Sequence, residues 1–148
     1  MSNHTAKIYW ERPSAEFEYE TYSRKHTWSF DNGLSVVASA AADFKGDLDA
    51  IDPEEALVAA ASGCHMLTFL AVAAKKRFKV KTYSDSPVGT LEKNEAGVMA
   101  VTRIVLSPVV TFDSEAIPTS EELAKLHESA HRNCFIANSI KADIQIAH

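Results

Sequence analysis

Asp52-Pro53-Glu54-Glu55-Ala56-Leu57-Val58-Ala59-Ala60-Ala61-Ser62-Gly63-Cys64-His65 opens a stretch that continues through Met66, Leu67, Phe69, Leu70 and Val72 to Ala74. It closes on Lys75-Lys76-Arg77. Asp52 is placed to cap the helix, Pro53 suits the first helical position, and Glu55 stands where a capping box needs its acid. Positive charge at the far end complements the helix dipole. Between the two ends almost every residue is small or apolar, which predicts a helix buried on all sides. The length would nearly span a bilayer, but alanine dominates, and Ser62, His65 and Thr68 lie inside it. A central helix within a protein core is the better reading.

Upstream, Lys7–Trp10, Phe17–Tyr22 and His26–Phe30 alternate apolar or aromatic with polar residues, the period of a half-buried strand. Asp31-Asn32-Gly33 then predicts a hairpin into Leu34–Ala38, with positive φ at both central positions of a type I′ turn. Downstream, Lys79–Ser84, Val88–Glu92 and Val98–Leu106 read as strands, the last continuing toward Phe112. Thr119 and Glu122 stand at capping-box spacing ahead of a second helix that runs toward Cys134, and Ile140–Ile146 ends the chain as a strand. Strands in groups, rather than in alternation with helices, predict an α+β fold with a largely antiparallel sheet over residues 1–148 as one domain. One sheet covers only one side of a helix apolar all round. A homodimer with that helix near the two-fold axis is therefore expected.

The composition, 46% hydrophobic and 24% charged, is that of a globular protein able to bury a core without covalent staples. A net charge of −5 argues against a nucleic-acid partner, whose sites are basic. The N-terminus lacks the apolar run of a signal peptide, so the expected compartment is the cytoplasm, with no membrane partner. In that reducing setting a cysteine pair is expected to act transiently rather than as a permanent staple.

Cys64 sits in the central helix and Cys134 follows the second. The plain reading is that both are small buried hydrophobes. Neither forms a Cys-x-x-Cys redox motif. Cys64, His65, His131 and Cys134 could be drawn together as a zinc set, but His65 neighbours Cys64 and projects about 100° away from it on a helix. No metal and no cofactor are expected.

The stretch from Asp52 to His65, with its cysteine ten positions after Glu54, resembles the signature of the OsmC/Ohr family, and Ala130-His131-Arg132-Asn133-Cys134 is similar to that family's second motif. The order of strands and helices agrees along nearly the whole chain. The resemblance implies an intertwined α+β homodimer with two sites at the subunit interface. It also implies thiol-dependent reduction of organic hydroperoxides, with Cys64 attacking and Cys134 resolving. Glu54 matches the family's Glu by spacing. Its glycine-flanked arginine is absent, which leaves Arg24 as the candidate in the comparable N-terminal region and Arg12 as its alternative. The family's Cys-Pro-Tyr is replaced by Cys134-Phe135-Ile136.

A thiol with an ordinary pKa is mostly protonated at neutral pH, and burial protonates it further. Cys64 lies about three turns into its helix, beyond the reach of the N-terminal dipole. A guanidinium is therefore expected beside the sulfur, held by Glu54, and Glu54 is expected to serve the Cys64 of the other subunit, because the two residues are about 15 Å apart along one helix. A dithiol reductant is expected to close the cycle. Leu67, Phe69, Met66 and Phe135 are expected to favour an organic tail. The rival reading is an OsmC-like binder of a small apolar or organosulfur ligand, with both cysteines kept for packing.

Overall fold

In the computed structural model, which describes residues 1–147, the chain divides into two compact units, Met1–Ala56 and Leu57 to the C-terminus. The first holds strands β1 (Ala6–Tyr9), β2 (His26–Phe30) and β3 (Ser35–Ala38), paired antiparallel in that order, with Ile8 opposite Trp28 and Trp28 opposite Val36. A short 3-10 turn, Ala42–Phe44, follows, and Ile51 bridges back to Ala38.

The Phe30–Leu34 hairpin forms where expected but with another turn. Gly33 N donates to Phe30 O, Phe30 N to Leu34 O, and only Gly33, at φ +83, has positive φ. This is the three-residue hairpin loop with glycine in the left-handed position, so Asn32 keeps an ordinary backbone. The loop at Asn94–Val98 repeats it with Gly97 at φ +77.

Phe17–Tyr22 forms no strand. It folds as a turn in which Tyr22 N donates to Glu18 O at 2.9 Å. Phe17 packs on Tyr22 with ring centroids 5.2 Å apart and on Trp10 at 5.9 Å, while Trp10 Nε1 donates to Ser23 O at 2.7 Å. The alternation is real, but its aromatic residues close on one another instead of on a sheet face.

Helix α1 (Pro53–Lys75) starts as the sequence demands: Glu55 N donates to Asp52 Oδ1 at 2.7 Å and Asp52 N to Glu55 Oε2 at 3.3 Å. Its end is a Schellman closure. Phe78 N donates to Ala73 O and Arg77 N to Ala74 O, with Arg77 itself left-handed at φ 65.

In the second unit, β4 (Val80–Ser84) pairs antiparallel with β7 (Val109–Phe112), and β5 (Val88–Lys93) antiparallel with β6 (Met99–Leu106). The final strand, β8 (Asp143–Ile146), lies parallel to β6 with Ile104 opposite Ile144. The expected run from Val98 to Phe112 is thus two strands that join different sheets. Pro108 has no N–H for a ladder, and Ser107 N is drawn off to Asp85 Oδ1 at 2.7 Å. Helix α2 (Ser120–Asn133) carries the full Thr119–Glu122 capping box.

Two apolar clusters fix α1 within this unit. Ala61 packs with Ile104, Leu106 and Ile144, and Phe69 and Ala73 pack with Leu126 and Ala130 of α2. By length and composition α1 could cross a membrane, yet only 28% of its most apolar window is buried within the chain. One side is core. The other, with Ala59, Ala60, Ala71 and a 65% exposed Leu67, is open, so the chain alone does not bury the helix all round.

Candidate functional site

The second unit brings Cys64 and Cys134 together. Cys64 lies two residues beyond the side chain of Ser62, which donates to Asp85 Oδ2 at 2.5 Å and pins this part of α1 to the loop after β4. Cys134 ends α2 as its C-cap, donating its N–H to His131 O, and its side chain is 1% exposed. The chain then turns tightly: Asn138 N donates to Cys134 O at 3.0 Å, Ser139 N to Ile136 O at 2.9 Å and Ser139 Oγ to Phe135 O at 2.6 Å. That turn brings the main chain of Phe135 and Ile136 near the sulfur of Cys64, where it favours the thiolate.

The Cys64 and Cys134 thiols are close enough to shift each other's ionisation, and their surroundings differ. Burial pushes the Cys64 thiol up. Opposing it are the Cys134 thiol, the N–H groups of Ile136 and Phe135, and the Thr68 hydroxyl, and together they hold Cys64 below its ordinary value. Cys134 is pushed up, first by burial and then by giving its hydrogen to Cys64; the N–H of Ala137, 3.4 Å from its sulfur, only partly offsets this. Cys64 is thus the sulfur built to carry charge and Cys134 the one built to keep its proton.

The donors around Cys64 are uncharged. Main-chain N–H groups leave no mark in a sequence. Thr68 was legible: it stands four residues after Cys64 on the same helix face, and its hydroxyl donates to the Cys64 carbonyl oxygen at 2.9 Å.

Glu54 is half-buried in the first turn of α1. Arg24 makes its contacts within the first unit. Its guanidinium donates to Tyr22 O at 2.9 Å and Tyr19 O at 2.8 Å and lies 4.0 Å over the Tyr22 ring. Arg12 is exposed.

His65 turns away from Cys64 into the core, 1% exposed, with Nε2 at 3.1 Å from His127 Nδ1. Burial, and then the neighbouring His127 and His131, lower its pKa to about 4, against a small opposing pull from Asp85. Among the described residues no group of three or more His, Cys, Asp or Glu is arranged to hold a metal ion.

Beside Cys64 opens a cleft of about 710 Å³, lined along α1 by Leu67, Thr68, Ala71 and Val72 and faced by Phe135. Phe69, expected to line it, is 0% exposed in the core instead, because it projects about 140° from Cys64 around the helix.

The chain belongs to the OsmC family: the family described as OsmC-like protein matches residues 45–148. An OsmC-like protein of unknown function from Vibrio cholerae is 45% identical, with 99% of each chain covered and a TM-score of 0.93. The organic hydroperoxide resistance protein from Elizabethkingia anophelis shares the fold at 19% identity, with 99% of this chain and 93% of that one covered and a TM-score of 0.74. OhrB of Bacillus subtilis, also an organic hydroperoxide resistance protein, shares it at 18% identity, with 96% of each chain covered and a TM-score of 0.62. No curated protein matches the chain in sequence.

Proposed function

We propose that the chain is a cytoplasmic thiol peroxidase that reduces organic hydroperoxides to alcohols. The observation that carries this reading is the nearness of Cys64 and Cys134, remote in sequence, with Cys64 held below its ordinary pKa and Cys134 pushed above its own. The Cys64 thiolate attacks the distal peroxide oxygen; the O–O bond breaks, and the alkoxide leaves as the alcohol after taking a proton. Cys64 is left as a sulfenic acid. The thiol of Cys134 attacks its sulfur, forming a disulfide and releasing water, which protects Cys64 from over-oxidation. An external dithiol reduces the disulfide by exchange.

The apolar cleft beside Cys64 supports preference for an organic tail over hydrogen peroxide. The fold shared with two organic hydroperoxide resistance proteins is in keeping with the same chemistry. In this reading Glu54 and Arg24 assist Cys64 from a second copy of the chain. Dimerisation is supported by α1 itself. A Cβ built on Gly63 meets nothing within 4 Å, so packing within the chain does not require glycine there, although glycine inside a helix costs about 1 kcal/mol. Close approach of a partner would require it.

The test is stoichiometric. One equivalent of cumene hydroperoxide added to reduced protein is expected to remove both thiols in the wild type and one in Cys134→Ser, and none in Cys64→Ser. Wild type that keeps both thiols would overturn the proposal.

A further inference from the structure

His65 of α1 and His127 of α2 are both buried, and His65 Nε2 stands 3.1 Å from His127 Nδ1. Their ring planes are within 5° of parallel with centroids 5.4 Å apart, so the rings meet nitrogen to nitrogen and not face over face. His65 Nε2 is the donor. The opposite tautomer would put an N–H on His65 Nδ1, which is buried and without a partner among the described residues, and buried N–H groups are left unpaired less often than acceptors. This bond ties α1 to α2 one residue from Cys64 and about two helical turns before Cys134. His131 on α2 and Asp85 after β4 act on the same ring, and Asp85 already takes hydrogen bonds from Ser62 and Ser107. From β4, Tyr83 reaches Phe69, which packs on the His127 ring at 4.5 Å, and burial keeps the Tyr83 hydroxyl protonated. From β7 come the apolar Val110 and Phe112. A proton added to His127 Nδ1 removes the acceptor and sets N–H against N–H. One added to His65 Nδ1 leaves a charge in the core with Asp85 already engaged.

We propose that His65 and His127 are positioning residues for the cysteine pair: their neutral N–H···N bond holds α2 against α1 so that Cys134 stays within reach of Cys64, and protonation in mild acid lets the two cysteines part. This rests on the pairing of Cys64 with Cys134 in the reading above, and on no peroxide step. Neither histidine touches a reacting atom. The pKa of His65 is about 4 in the fold against an ordinary 6.5, so the joint is fully favoured above pH 6.5 and weakens as pH falls toward 4, by up to about thirtyfold at pH 5.

The test closes the Cys64–Cys134 disulfide with oxidised glutathione, which takes the two electrons and leaves as two glutathione thiols, and reads the equilibrium constant between pH 7.5 and pH 5. Intact mass separates the internal disulfide from glutathione adducts. The reference is the double variant His65→Gln, His127→Asn, whose amides place an N–H and a C=O where Nε2 and Nδ1 stand and cannot take the proton. Any pH dependence of the exchange itself cancels in the ratio. The wild type is expected to match this variant within about twofold at pH 7.5 and to fall roughly three- to tenfold below it at pH 5. His127→Leu, which has no acceptor, is expected to fall below both at pH 7.5. Should the double variant not fold, His127→Asn takes its place; should His127→Leu not fold, the comparison with the amide variant decides alone. Superposed profiles of wild type and amide variant overturn the proposal, as does full closure in a folded His127→Leu. Circular dichroism showing the wild type unfolded as a whole at pH 5 assigns the histidines to the fold and also overturns it. Peroxide left unconsumed while closure follows the expected pattern removes the peroxidase reading alone, and peroxide consumed with superposed profiles removes this one alone.

Discussion

Cys134, the C-cap of α2, sets its thiol close enough to Cys64, in the middle of α1, to favour the Cys64 thiolate. The turn that follows Cys134 supplies two further N–H donors to the same sulfur. The Cys134 thiol and the donors around Cys64 are therefore one structural feature, and disturbing Cys134 acts on both.

Removal of donors should protonate Cys64. Cys134→Ala is expected to move the alkylation midpoint of Cys64 to higher pH, and Cys134→Ser, which keeps an O–H, to move it less. Thr68→Val should move it in the same direction. A hydrogen bond to a charged group is worth about 1.5–3 kcal/mol, so iodoacetamide alkylation of Cys64 at neutral pH should slow by about tenfold or more in Cys134→Ala. Unchanged alkylation profiles in all three variants would show that these donors do not tune the sulfur.

Stability should fall in mild acid because of His65. Its pKa in the fold is about 4, below the ordinary 6.5, so between these values the unfolded chain binds the proton more readily. The contribution is complete above pH 6.5 and is lost as pH falls toward 4, by on the order of 3 kcal/mol. Urea unfolding across this range is expected to show the slope, and His65→Leu to flatten it. A slope that survives the substitution must come from other groups.

Arg77 holds a left-handed backbone that costs a non-glycine residue about 1 kcal/mol. Arg77→Gly relieves this at the Schellman position, where glycine is the usual residue. We expect a gain of roughly 0.5–1 kcal/mol and a rise of a few degrees in Tm. Scanning calorimetry of the two proteins decides it, and a fall in Tm would mean that the lost charge or stem contacts outweigh the backbone.

Asp85 takes two hydrogen bonds, from Ser62 Oγ at 2.5 Å and Ser107 N at 2.7 Å. Asp85→Ala leaves both donors without their partner and should cost about 2 kcal/mol. Asp85→Asn should cost less, since its oxygen still accepts from Ser107 N and the Ser62 hydroxyl can turn to accept from the amide. Equal losses in denaturant unfolding would assign the effect to charge instead of hydrogen-bond geometry.

Much of this protein is written locally. Asp52, Pro53 and Glu55 start α1, Thr119 and Glu122 start α2, and Gly33 and Gly97 close their hairpins, because each acts on backbone groups within a few residues. The α+β class and the motif positions of Cys64 and Cys134 were legible for the same reason. What the sequence could not determine is non-local. Phe17–Tyr22 has the period of a strand, but its rings close on Trp10. The run from Val98 to Phe112 looks continuous, but it divides between two sheets at Pro108. Above all, the donors on Cys64 are main-chain N–H groups of a turn remote in the chain, and every residue but proline carries that group. Only the packing of α2 against α1 decides which of them meet the sulfur.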